Sequence, residues 1–85
     1  MKKSNAVHLY DKVILKQAVK ERKVTQGHVA EKLGMKSNAL SANMKRDRMS
    51  LDMFMRILNA LDYDVAVIDR QTGEPVWIVE EEDDI

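Results

Sequence analysis

Lys36, Lys45, Arg46 and Arg48 surround a short polar segment that contains Ser37, Asn38, Ala42 and Asn43. A cluster of this kind binds anions. The cations attract a polyanion, and the hydroxyl and amide groups among them can hydrogen-bond to what it presents. Catalysis has no comparable set. The chain has no cysteine, and His8 and His28 are far apart, neither with a second ligand at metal spacing. No nucleophile–base pair, paired carboxylates or phosphate loop can be assembled from the remaining residues, so neither an enzyme nor a metal or cofactor site is expected.

The formal net charge of zero conceals a split. Residues 1–60 hold 13 Lys/Arg against 5 Asp/Glu, a net +8, whereas residues 61–85 hold one Arg against 9 Asp/Glu, a net −8. A basic body with an acidic end places the polyanion-binding surface in the first part. The longest apolar runs, 65–68 and 76–79, are four residues each, too short to span a bilayer. Met1-Lys2-Lys3 is not followed by the apolar stretch of a signal peptide, so an intracellular, soluble chain is expected.

The elements that would carry these residues follow from periodicity and caps. With 85 residues the chain is one small domain, burying only about 60% of its unfolded surface, so self-association is expected to reinforce it. Leu9, Tyr10, Val13, Ile14 and Ala18 mark the inner face of an amphipathic helix within 7–23, with lysines between them. Thr25 is the N-cap of a second helix over 26–33, with Val29, Ala30 and Leu33 inward and Gly34 as its left-handed exit. A third helix starts at Lys36 or Ser37, with Leu40 and Met44 inward. Ser50 caps a fourth, whose stripe is Leu51, Phe54, Ile57, Leu58 and Leu61, and Met53 and Met55 widen it beyond one small core. After Asp62 the period changes to that of strands, 63–69 and 76–80, around a turn over 70–74 in which Gly73 is free to take positive φ. Pro75 opens the second strand, and the acidic residues at the end of the chain form a solvated tail.

Two short helices joined by a glycine turn are a helix-turn-helix candidate. The segment Thr25-Gln26-Gly27-His28-Val29-Ala30-Glu31-Lys32-Leu33-Gly34 resembles the "TQxxLAxxLG" signature of the phage repressor and Cro-like (XRE-type) regulators, with Val29 at its first leucine. Residues 50–61 resemble that family's fourth helix, "sLxxLxxIxxAL", with Phe54 at the middle leucine. The resemblance covers residues 10–62. The strand-forming tail is similar to that of a subgroup among bacterial and mobile-element regulators, and of DNA-binding antitoxins whose strands pair between subunits. It implies a mainly α fold: a four-helix repressor-like domain over 1–62, a β-hairpin over 63–80 that forms an intersubunit sheet, and an acidic tail over 81–85.

The implied function is a homodimeric transcriptional regulator, a repressor, that reads an inverted repeat in double-stranded DNA. The third helix would enter the major groove with Ser37, Asn38 and either Ala42 or Asn43 at the base edges. The family has an apolar residue where Asn43 stands, and Met44 takes the inward role here. Gln26 matches the family glutamine that bonds a phosphate and braces the recognition helix. Thr25, Lys36, Lys45, Arg46 and Arg48 would contact further phosphates. Met55, Val65, Val67, Val76, Trp77 and Ile78 would form the dimer interface. A cytoplasmic protein, bacterial or phage-encoded and on the nucleoid when bound, with no membrane partner, is implied. The alternatives are an antitoxin that also binds a toxin, and a protein-interaction module that has lost DNA binding.

Overall fold

Two side-chain caps set the frame. Thr25 Oγ1 accepts the His28 N–H at 3.1 Å, and Ser50 Oγ accepts the Met53 N–H at 3.1 Å. Each satisfies one of the amides that a helix start leaves without an internal acceptor. The computed structural model describes residues 8–46 and 48–81. Residues 1–7, and the tail assigned to 81–85 beyond Glu81, lie outside the described residues. In chain order the elements are α1 (Asp11–Arg22), α2 (Gln26–Leu33), α3 (Ser37–Lys45), α4 (Leu51–Ala60), β1 (Val65–Ile68) and β2 (Pro75–Val79). The chain is thus mainly helical, with a small antiparallel hairpin at its C-terminal end. Among the described residues no helix is long and apolar enough to cross a membrane.

Leu15, Ala18, Val29, Ala30, Leu40, Ile57, Leu58 and Leu61 form one buried core, to which every helix contributes. In α1 the inward residues are Ile14, Leu15, Ala18 and Val19. Leu9 and Val13 are exposed and Tyr10 is 85% exposed, which corrects the face read from spacing. The helix begins only at Asp11, so Leu9 and Tyr10 precede it, and Tyr10 is its extended N-cap. The stripe therefore runs through 14, 15, 18 and 19, one residue round from the expected line. In α4, Leu51 at the first turn is also exposed, whereas Met55 is buried to 3%. Met55 thus serves the chain's own interior, which corrects its assignment to a surface between subunits.

Cations from two helices hold the carbonyl end of α4. Arg22 of α1 donates from Nε to the Leu61 carbonyl at 2.8 Å and from Nη2 to the Asp62 carbonyl at 3.1 Å. Lys32 of α2 donates to the Ala60 carbonyl at 3.3 Å. Both charges stand where the helix dipole is negative and the last carbonyls lack internal donors. The Arg22 guanidinium also lies 3.9 Å above the centre of the Tyr63 ring, so one side chain pins the exit from α4 at three points. Asp62, with φ 63°, makes the left-handed step that turns the chain into β1.

The hairpin pairs Val65 with Val79, Ala66 with Ile78 and Val67 with Trp77, then shifts register at a bulge so that Ile68 faces Pro75. Both strands are a little displaced from expectation: β1 is trimmed to four residues, and Pro75 is itself the first residue of β2, where its missing N–H is tolerated. At the turn, Gly73 takes φ 77° and its N–H reaches the Asp69 carbonyl at 2.7 Å. Directly paired residues share a face. Val65, Val67, Trp77 and Val79 are on the side that meets the helices, and only Val65 packs against the core cluster. Trp77 remains 68% exposed; Ile78, paired with Ala66 on the opposite side, is exposed as well, as are Ile68 and Val76 at the bulge.

Candidate nucleic-acid interface

The link between α2 and α3 is built from one glycine and two buried residues. Gly34 takes φ 67° and its N–H bonds the Glu31 carbonyl at 3.1 Å, while Met35 N–H bonds the Ala30 carbonyl at 2.9 Å. A Cβ at Gly34 would meet nothing within 4 Å, so the glycine is there for its backbone angle and not for space. The sharp exit folds α3 back onto α2, with Ala30 and Leu40 buried in the same cluster. Their first turns also approach: a Cβ at Gly27 would lie 3.4 Å from Ser37 Oγ.

Lys36 occupies the N-cap of α3 and makes no side-chain cap bond, so Ser37 is the first helical residue. Leu40 is 0% exposed and fixes the inward direction, with Met44 packed beside it. At about 100° per residue the opposite side of the helix carries Asn38, Ala42 and Lys45. All three are exposed, as is Ser37, which lies about 60° round from Leu40. Asn43 is not among them. It is half-buried and its Nδ2 donates to the Ala39 carbonyl at 3.0 Å, one turn back along the same helix. Of the two alternatives Ala42 is therefore the outward residue, and Asn43 is corrected to a side chain that bonds its own backbone.

The segment α3 contains no acidic residue, and exposed Lys36, Arg46 and Arg48 flank its ends. Thr25 uses its oxygen as an acceptor for α2, which leaves its hydroxyl proton for an outside acceptor. Gln26, exposed in the first turn of α2, opens onto a cleft of about 270 Å³ that it shares with Lys12 and Lys16 of α1 and Ser41, Met44 and Lys45 of α3. Lys12 donates to the Lys45 carbonyl at 3.4 Å and ties the two helices at the cleft. Lys12, Lys16 and Ser41 were not singled out from the sequence. The lysines of α1 are visible there as its polar side, but no local rule says which neighbour that side adjoins.

Of the residues assigned to an intersubunit surface, Val67, Val76, Trp77 and Ile78 are exposed, Val65 is half-buried against the chain's own helices, and Met55 is interior. Among the described residues no group of His, Cys, Asp or Glu is disposed to hold a metal ion.

No protein-family model, curated protein or solved structure matches the chain. What it does has to be read from its own residues.

Proposed function

We propose that the chain is a homodimeric, sequence-specific DNA-binding regulator, a repressor acting by occupancy of its site, in which α2, the Gly34 turn and α3 form a helix-turn-helix. One observation carries this reading: the outward face of α3 is polar and acid-free, with Asn38, Ala42 and Lys45 aligned opposite the fully buried Leu40. A helix held by its inner side alone, with cations at both ends, can enter a major groove. Asn38 would hold adenine through N6 and N7, Ala42 would touch a thymine methyl, and Ser37 would bond either base. Gln26, Lys36, Lys45, Arg46 and Arg48 would contact phosphates and set the register without reading sequence. The protein would work in the cytoplasm, on chromosomal or phage DNA.

Selection of bound sites from a random duplex pool tests the reading. An inverted repeat with half-sites about 10 bp apart is expected. Asn38→Ala should weaken the preferred site by about 1–3 kcal/mol and relax one base pair in each half-site. An unchanged motif would reduce Asn38 to a helix-start residue.

A second reading has its own support. Ile78, on the hairpin side opposite Val65, and Ile68 and Val76 at the bulge are exposed and apolar. A surface of that chemistry suits a protein partner, as an antitoxin requires.

A further inference from the structure

We infer that Arg22 positions the hairpin on the helical body, and that this angle sets the spacing at which a dimer meets its two half-sites. The spacing part rests on the DNA-binding reading above. β1 follows α4 after only four residues, 61–64. Tyr63 and Val65 pack against the core cluster, whereas Val67, Trp77 and Ile78 farther along the hairpin are exposed. Apolar packing therefore anchors the root of the hairpin and little beyond it. Backbone N–H groups of Leu61, Asp62 and Tyr63 bond back to Leu58 and Asn59, which ties the joint to its own helix. Arg22 ties it to a different one. Its planar fork reaches two successive carbonyls, Leu61 at 2.8 Å and Asp62 at 3.1 Å. The same guanidinium covers the Tyr63 ring at 3.9 Å. Three consecutive residues are thus clasped to the last turn of α1, at the step where Asp62 turns left-handed.

A second strut is weaker. Arg56 of α4 meets Glu81, just past β2, at 3.5 Å, but both side chains are half exposed and Arg56 is shared with Asp52. Water and salt screen such a pair. The clasp matters because the hairpin is a lever. Five residues of strand reach about 17 Å, so a rotation of roughly 10° at the joint moves the far end by about 3 Å. In a dimer joined through its hairpins, that is close to the ~3.4 Å rise of one base pair. A loosened joint would let two α3 helices meet half-sites one base pair nearer or farther apart.

The chain has no cysteine, so spin labels can be attached at Glu31→Cys in α2 and Gln71→Cys in the hairpin turn without competition. Pulsed electron resonance then reads the distance between body and hairpin, with labelled chain diluted in unlabelled chain and folding checked by circular dichroism. Wild type should give one narrow distance, and Arg22→Ala a broad distribution. Tyr63→Leu, which keeps apolar packing but loses the ring, should broaden it too. Tyr63→Phe keeps the ring and should stay narrow. A narrow distribution in folded Arg22→Ala and Tyr63→Leu would overturn the clasp whatever the protein binds. A second arm measures binding to duplexes carrying two selected half-sites at spacings changed by one base pair. Wild type should prefer one spacing by about tenfold or more, and Arg22→Ala should reduce that ratio to about threefold or less. Affinity for a single half-site should be the same in both. A broad distribution beside an unchanged spacing ratio would overturn the link to half-sites and leave the regulator reading in place. A wild type that binds no duplex at low salt would overturn that reading and the spacing assignment together.

Discussion

Leu40→Ala is expected to cost about 3–4 kcal/mol of folding stability, near the middle of the range for a leucine cut back inside a closed core. Leu40 is fully buried and is the only fully enclosed side chain that α3 contributes. Its truncation loses the burial of three carbons and leaves a void in the core where α3 packs against α2 and α1. An 85-residue chain has roughly 4–13 kcal/mol in all, so much of the total would go. Urea unfolding followed by helical circular dichroism measures it, with Asn38→Ala as the control that should move the midpoint little. A loss below about 1 kcal/mol would mean that α3 is not held as described, and its outward face would lose its fixed direction.

Removing residues 64–85 is expected to give a monomer that is less stable and, if the proposed function holds, has lost tight operator binding although every residue of α3 remains. The hairpin carries apolar side chains on both sides, and only its Val65 packs against the core cluster. An isolated pair of strands is marginal in water. A twofold partner could continue the sheet edge to edge, remove the unpaired backbone groups and cover Trp77. It would also place two α3 helices about 34 Å apart. With one helix instead of two, avidity of about 10²–10⁴-fold disappears. Ile78→Asp gives the same test with a smaller lesion, since Ile78 lies on the side away from the helices. Sedimentation of the intact chain decides the point: a stable monomer at micromolar concentration would refute the assembly.

What was legible in the sequence was local. Thr25, Gly34 and Ser50 act within a turn or two of themselves, through a hydroxyl accepting an amide or a glycine taking positive φ. Such motifs declare themselves by residue type and spacing. The start of α1 did not, because Leu9 and Tyr10 continue an apolar spacing that the helix itself does not reach. Met55 was misplaced for a related reason: a wide apolar surface on α4 does not reveal which part the hairpin and neighbouring helices cover. For α3, spacing left Ala42 and Asn43 as alternatives, and only the hydrogen bond from Asn43 to Ala39 separates them. Arg22 and Lys12 act across 30 or more residues of sequence, on the end of α4 and on α3 respectively. Spacing along one helix carries no record of such contacts.

The claim that α3 and its flanking cations engage DNA is tested most directly by equilibrium titration of duplex DNA at rising salt. If the dimer neutralises about 6–10 phosphates, affinity should fall roughly 10³–10⁵-fold between about 50 and 200 mM salt. Arg46→Ala should weaken all sequences alike and flatten that dependence. No binding at about 50 mM salt by protein that circular dichroism shows to be folded would contradict the account.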